Sequence, residues 1–103
     1  LNMMLDLAAP KVVTPAIIFM ISQLNAQTRP YAFLIVPLIT SLVVKFGLKM
    51  NMTRADVVVP GVLAGLLTFL PLGSLDGATS TVIKGLAFLF IFAQLRITFP
   101  KYY

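Results

Sequence analysis

The chain contains no histidine, no cysteine and no glutamate, and its only acids are Asp6, Asp56 and Asp76. The first two absences remove imidazole and thiolate metal ligands, thiol nucleophiles and disulfides. The third leaves three aspartates far apart in sequence. With no histidine-containing triad, no phosphate-binding glycine loop and no paired carboxylates in one stretch, no catalytic constellation can be assembled. The expectation is a protein that is not an enzyme and uses neither metal nor cofactor. Charge is scarce too: 11% of the 103 residues are charged, against 59% hydrophobic, with a mean hydropathy of +0.99. So few charges cannot cover a soluble domain of this length, and a single membrane-embedded domain is predicted. Eight cations against three acids give a net charge of +5. They are spread over prospective loops and ends, with no basic face interleaved with aromatics. They therefore indicate topology and lipid-headgroup contact, not nucleic-acid binding.

What the chain does have is long apolar runs. Residues 57–75, VVVPGVLAGLLTFLPLGSL, carry no charge. A helix of that length reaches roughly the 30 Å of a bilayer's hydrocarbon core. Inside it, Gly61-Val-Leu-Ala-Gly65 has the small-xxx-small spacing that lets helices approach closely in lipid, and its expected use is packing within the chain. Pro60 is expected in the first turn of this span, where proline is tolerated, with Pro71 and Gly73 ending it.

Three further runs complete the expected architecture, an all-α polytopic membrane protein of two helical hairpins. Its four spans are 12–27, 31–48, 57–73 and 81–98, or three if the first lies at the interface. In the first, Thr14-Pro15 fits a helix start, while Ser22, Gln23 and Asn25 make the far end polar. Gln23 has two uses, emergence into headgroups or a hydrogen bond to another helix, and the first is the expectation here. Residues 25–30, NAQTRP, read as a tight turn. The second span opens on Tyr31, a belt aromatic. It carries Pro37 at its middle, where a kink is expected and where Thr40 and Ser41 are placed to satisfy freed carbonyls. In the fourth, Lys84 and Arg96 are expected to snorkel outward and Thr79 or Ser80 to cap the start, while Phe88, Phe90 and Phe92 fill core or face lipid. Asp76-Gly77 is a turn pair, and Asp6 and Asp56 read as solvated ends of spans.

The charges then sort by side. Lys11, Lys45, Lys49, Arg54, Arg96 and Lys101 fall on one face of the membrane, and Arg29 and Lys84 on the other. That bias places both termini and the loop 45–56 in the cytosol. Asn51-Met52-Thr53 matches the glycosylation acceptor pattern, but a cytosolic loop would not meet that machinery. Lys45, Lys49 and Arg54, with Lys101, Tyr102 and Tyr103 at the end, are the expected interface or partner-facing residues.

Residues 10–19, Pro-Lys-Val-Val-Thr-Pro-Ala-Ile-Ile-Phe, resemble the start of small hydrophobic proteins of large icosahedral DNA viruses of algae and protists. Those proteins open with a short Thr-Pro-Ala lead into a membrane helix, followed by a hairpin. The resemblance implies a minor capsid protein seated in the virion's internal membrane, linking the bilayer to capsid proteins, and it carries no functional residue with it. Two alternatives stay open: an accessory subunit of a membrane enzyme complex, and a small oligomeric transporter. The transporter is disfavoured chemically, because proton-coupled export of cations needs an acid at membrane depth and no expected span holds one.

Overall fold

A computed structural model describes residues 7–70 and 77–102, and the described residues are helical throughout their regular structure. Four α-helices follow in order: α1 (Pro10–Leu24), α2 (Ala32–Leu42), α3 (Arg54–Thr68) and α4 (Gly77–Thr98). A 3-10 turn at Arg29–Tyr31 leads into α2, a π-turn at Val43–Gly47 prolongs it, and a 3-10 turn at Pro100–Tyr102 follows α4. Asp6, Pro71, Gly73, Asp76 and Tyr103, each given a role from the sequence, lie outside the described residues.

Two of these helices are long and apolar enough to cross a bilayer: the continuous helical rod Arg29–Gly47, 19 residues, and α4, 22 residues. The other two are 15 residues each, or about 22 Å at 1.5 Å per residue. Four spans of full length are therefore not what the chain forms. The correction has a local cause at each short helix. Helix α1 stops at Leu24, whose successor Asn25 is extended (φ −113°, ψ 123°), so the span expected over 12–27 loses its last turn. Helix α3 starts at Arg54 rather than 57 because Thr53 and Asp56 form a reciprocal capping box. The Thr53 hydroxyl accepts from the Asp56 backbone N–H, and the Thr53 N–H donates to Asp56 Oδ2, both at 3.2 Å. It ends at Thr68 although the apolar run continues, since hydropathy alone does not hold a helix together.

These earlier starts also move the prolines. Pro10 opens α1, so Pro15 sits in the helix interior, and Pro60 is likewise internal to α3. Neither occupies the first turn expected for it. With Pro37 in α2, three helices each lack an internal donor and leave one carbonyl without its usual partner. Helix α4 begins at Gly77, two residues before the expected caps at Thr79 or Ser80.

The helices alternate in direction around a ring. Helix α2 packs on α1 and α3, and α4 packs on the same two from the other side; α1 and α3 meet across the diagonal. Phe19, Phe88 and Phe92 fill the centre with Ala16, Ala32, Val36, Leu63, Ala64 and Leu67. Phe19 stacks on Phe88 at 5.1 Å between ring centroids, and Phe92 meets Phe88 edge-on at 6.0 Å. Phe88 and Phe92 stand one helical turn apart and share a face, whereas Phe90, half exposed, points outward. Much of the remaining large apolar side-chain surface is on the outside: Leu66 is 69% exposed and Phe69 74%, with Ile21, Leu24, Leu38 and Leu86 among many others exposed.

Candidate functional site

The polar side chains gather at the two ends of the diagonal pair α1 and α3. At one end Lys11 donates to Asp56 Oδ2 at 3.2 Å. At the other, the Gln23 side-chain amide donates to Thr68 Oγ1 at 3.0 Å. The sequence separation is 45 in both pairs. The two helices therefore run parallel and keep one register between the pairs, twelve residues or roughly 18 Å apart. A one-turn slip of α1 along α3 would break both contacts together.

Asp56 is only 2% exposed, which overturns its expected place as a solvated span end. Its Oδ2 caps α3, receives Lys11 and complements the positive N-terminal end of the helix dipole. Its Oδ1 has no hydrogen-bond partner among the described residues. Gln23, also 2% exposed, is not emerging into headgroups; the interhelical use is the one the fold adopts. Its partner Thr68 passes the bond on, donating to the Ala64 carbonyl at 2.7 Å.

Lys84 does not snorkel outward. It is 7% exposed, and its ammonium donates to the Thr68 backbone carbonyl at 3.1 Å. Arg29 does the same for α1, donating through Nε and Nη2 to the Gln23 carbonyl at 3.1 and 2.8 Å. Thr28 Oγ1 takes the neighbouring Ser22 carbonyl at 2.8 Å. Each of the two short helices thus has a C-terminal carbonyl held by a cation from another segment, where the dipole favours positive charge.

The residues expected to face an interface or partner occupy the Lys11 end or its loop. Lys45, Lys49, Arg54 and Lys101 are exposed; Tyr102 lies in the terminal 3-10 turn. Lys45 and the exposed Phe46 project from the π-turn, which closes with Leu48 N–H donating to the Val43 carbonyl at 2.9 Å and Met50 N–H to Val44 at 3.0 Å. Lys49 holds the left-handed conformation, with φ of 55°, so that the chain can turn back toward α3.

Gly61 and Gly65 both face α2. A methyl group at Gly61 would sit 3.0 Å from the Phe33 backbone oxygen and 3.2 Å from Pro37 Cγ; at Gly65 it would meet Phe33 Cβ at 3.3 Å. The Phe33 carbonyl is the one freed by Pro37, four residues on. Glycine 61 lets the α3 backbone close on it. Ser41 does not serve that carbonyl; its hydroxyl donates to Pro37 O at 2.7 Å, and Thr40 Oγ1, buried, has no partner among the described residues. Gly85, which sequence reasoning passed over, is tighter still: a methyl there would overlap the Met20 side chain. A glycine deep in an apolar helix was the available signal, since it costs stability unless something packs on it. The capping box was equally readable, as a threonine three residues before an aspartate ahead of an apolar run.

Among the described residues no group of three or more His, Cys, Asp or Glu side chains comes together. The arrangement can hold helices in register and present a basic face at one end. No protein-family model matches the chain, and neither a curated protein nor a solved structure does.

Proposed function

We propose that this chain is a non-enzymatic structural membrane protein, a lipid-embedded helical bundle that fastens a larger assembly to a bilayer. One observation carries the reading. Around an apolar centre, Asp56, Gln23 and Lys84 are buried and paired, while Leu66, Phe69, Leu24, Phe46 and many other large apolar side chains face out. Water would penalise that apolar exterior, and exposed apolar surface on this scale marks contact with lipid or protein. In a bilayer the polar groups must find partners internally, and Lys11 with Asp56, Gln23 with Thr68 and Lys84 with the Thr68 carbonyl do so. The rod Arg29–Gly47 and α4 cross the membrane. Helices α1 and α3 pack beside them, short of the full thickness, a mismatch that local thinning of the bilayer accommodates.

The assembly partner meets the basic end. Lys45, Lys49 and Arg54 are exposed beside Phe46, a cationic and aromatic set suited to an acidic protein surface at headgroup level. The resemblance of residues 10–19 supports a specific version, a minor capsid protein of a virion's inner membrane that links bilayer to capsid proteins. Two measurements test the two levels. Extraction with alkaline carbonate should leave the chain in the membrane pellet, and release into the supernatant would sink the membrane reading. In membrane-bounded particles stripped of capsid, protease should cut the loop 48–53; a protected loop would place the basic end on the wrong side for the capsid.

A further inference from the structure

The register shared by α1 and α3 extends to their residues. At the common separation of 45, residues 11–18, Lys-Val-Val-Thr-Pro-Ala-Ile-Ile, align with residues 56–63, Asp-Val-Val-Val-Pro-Gly-Val-Leu. Val12, Val13 and Pro15 recur as Val57, Val58 and Pro60. Both prolines are internal to their helices, and each frees the carbonyl four residues before it, that of Lys11 or of Asp56. From 15 to 25 and from 60 to 70, buried, half-buried and exposed positions coincide at every aligned pair except Ile18 and Leu63. The same faces therefore turn inward at the same heights. The second helices follow the same relation: α2 packs on α3 as α4 packs on α1, and each contact closes over a glycine. Gly65 faces Phe33 of α2, and the residue aligned with it, Met20, faces Gly85 of α4. Between the two contacts the small and the large residue have changed helices.

Such a pattern places a two-fold axis between α1 and α3, exchanging the hairpin α1–α2 with the hairpin α3–α4. Close to a two-fold axis a residue meets its own counterpart. Both diagonal bonds have this form, Lys11 with Asp56 and Gln23 with Thr68. Identical halves would set lysine on lysine, or aspartate on aspartate, at a place where Asp56 is solvent-free, and buried like charges repel strongly. The chain carries opposite charges there instead. We infer that the two hairpins are equivalent halves of a pseudo-two-fold pair, and that the α1–α3 surface is a self-recognition surface on which Lys11 and Asp56 decide which hairpin accepts which. A hairpin with the lysine takes a hairpin with the aspartate and rejects its like, so attraction and repulsion both serve the choice. The fitting partner is a hairpin of this same sequence with the opposite charge. The pairing is internal to the bundle and does not rest on the membrane reading above.

The test uses full-length chains. Within one chain, exchanging residues across the axis should be tolerated better than changing one alone. Gln23→Thr combined with Thr68→Gln rebuilds the bond in the reverse sense, and its unfolding midpoint should lie closer to that of the native chain than the midpoint of either single variant. This neutral exchange leaves the charges untouched, and a double variant no better than the worse single overturns the equivalence of the halves. Between chains, Lys11→Asp and Asp56→Lys copies with different affinity tags are co-expressed and purified in detergent. Alone, each sets like charges across its own diagonal. Together, two copies that trade hairpins restore both opposite pairs. Co-capture of the mixed pair should exceed that of either variant with itself by at least about tenfold, the scale of coupling between contacting charges. Far-ultraviolet circular dichroism follows folding: a variant that folds only beside its reciprocal partner supports the charge code. Mixed capture no greater than self-capture, or copies that fail to fold together as well as apart, overturns it.

Discussion

The two ends of the diagonal pair solve one problem with different chemistry. Where α1 and α3 begin, an acid and a base meet: Lys11 on Asp56, with Asp56 also capping α3. Where they finish, no acid is used among the described residues; the cations Lys84 and Arg29 hold backbone carbonyls instead. The difference follows from helix polarity. A helix start presents N–H groups and positive potential, so it needs a carboxylate, which then needs a lysine. A helix finish presents carbonyls and negative potential, so a cation suffices alone. A chain with three acids and eight cations can afford the second arrangement more often than the first.

The largest expected effect breaks the first end. Asp56→Ala removes the capping box and leaves Lys11 without its counter-charge in a site where Asp56 is essentially solvent-free. Losing one partner of a buried pair costs about 3 kcal/mol or more, and the cap contributes about 1 kcal/mol of its own. Because Lys11 keeps some exposure (15%), about 3 kcal/mol in total is the expected figure. Reversible unfolding in mixed micelles measures it. A loss under about 0.5 kcal/mol, the scale of an exposed pair, would mean that the two ends do not differ as described.

Between the ends, the α2–α3 contact tests whether close packing shares the burden of register. Gly61→Ala places a methyl against a backbone oxygen, which cannot swing aside, whereas Gly85→Ala meets the flexible Met20 side chain. Overpacking costs about 1–3 kcal/mol, so Gly61→Ala should lose roughly 2 kcal/mol, and Gly85→Ala less as Met20 rearranges. The same unfolding assay ranks them. If Gly85→Ala proves the more damaging, Met20 is locked and α1–α4, rather than α2–α3, is the rigid contact.

This contrast bears on what could be read from the sequence. The runs of apolar residues, the tight turn after Asn25, the internal Pro37 and the glycine spacing of α3 are local signals, and each has its counterpart in the fold. The fate of Asp56, Gln23 and Lys84 was not legible, because each is decided by a partner elsewhere in the chain: 45 positions away for the first two and 16 for the third. Hydropathy scores a residue by its own polarity, so a buried polar pair and two solvated ends look alike. Helix length was misread for a related reason. Residues 69–70 are as apolar as the turn before them, and only the backbone shows that α3 has already ended at Thr68.

The third test breaks the acid-free end. Lys84→Met keeps the bulk of the side chain but deprives the Thr68 carbonyl of its donor. An unsatisfied buried carbonyl with the loss of a favourable charge at a helix finish should cost about 1–2 kcal/mol. Lys84→Arg, which retains a cation and donors, should recover at least half of that. Amide exchange adds a readout that a simple packing defect would not give, with faster exchange concentrated in the last turn of α3. If Lys84→Arg is as damaging as Lys84→Met, side-chain fit rather than charge matters at Thr68.

The smallest effect sharpens the comparison most. Gln23→Leu removes the neutral bond to Thr68 Oγ1 and leaves both flanking cation contacts, Arg29 to the Gln23 carbonyl and Lys84 to the Thr68 carbonyl, on backbone atoms that the substitution does not touch. Thr68 stays satisfied through its own bond to Ala64. Neutral polar pairs within bilayers average only about 0.6 kcal/mol, and the leucine regains apolar contact, so the expected loss is about 0.5 kcal/mol or less. In an Asp56→Ala background, however, Gln23–Thr68 is, among the described residues, the remaining side-chain bond fixing α1 against α3. There the same substitution should cost up to about 0.5 kcal/mol more than it does alone, the upper end of the coupling found between sites this far apart. A double-mutant cycle over Asp56 and Gln23 reads the coupling directly. Strict additivity would show that the ends act independently and that the helices in between are stiff enough to hold register without both.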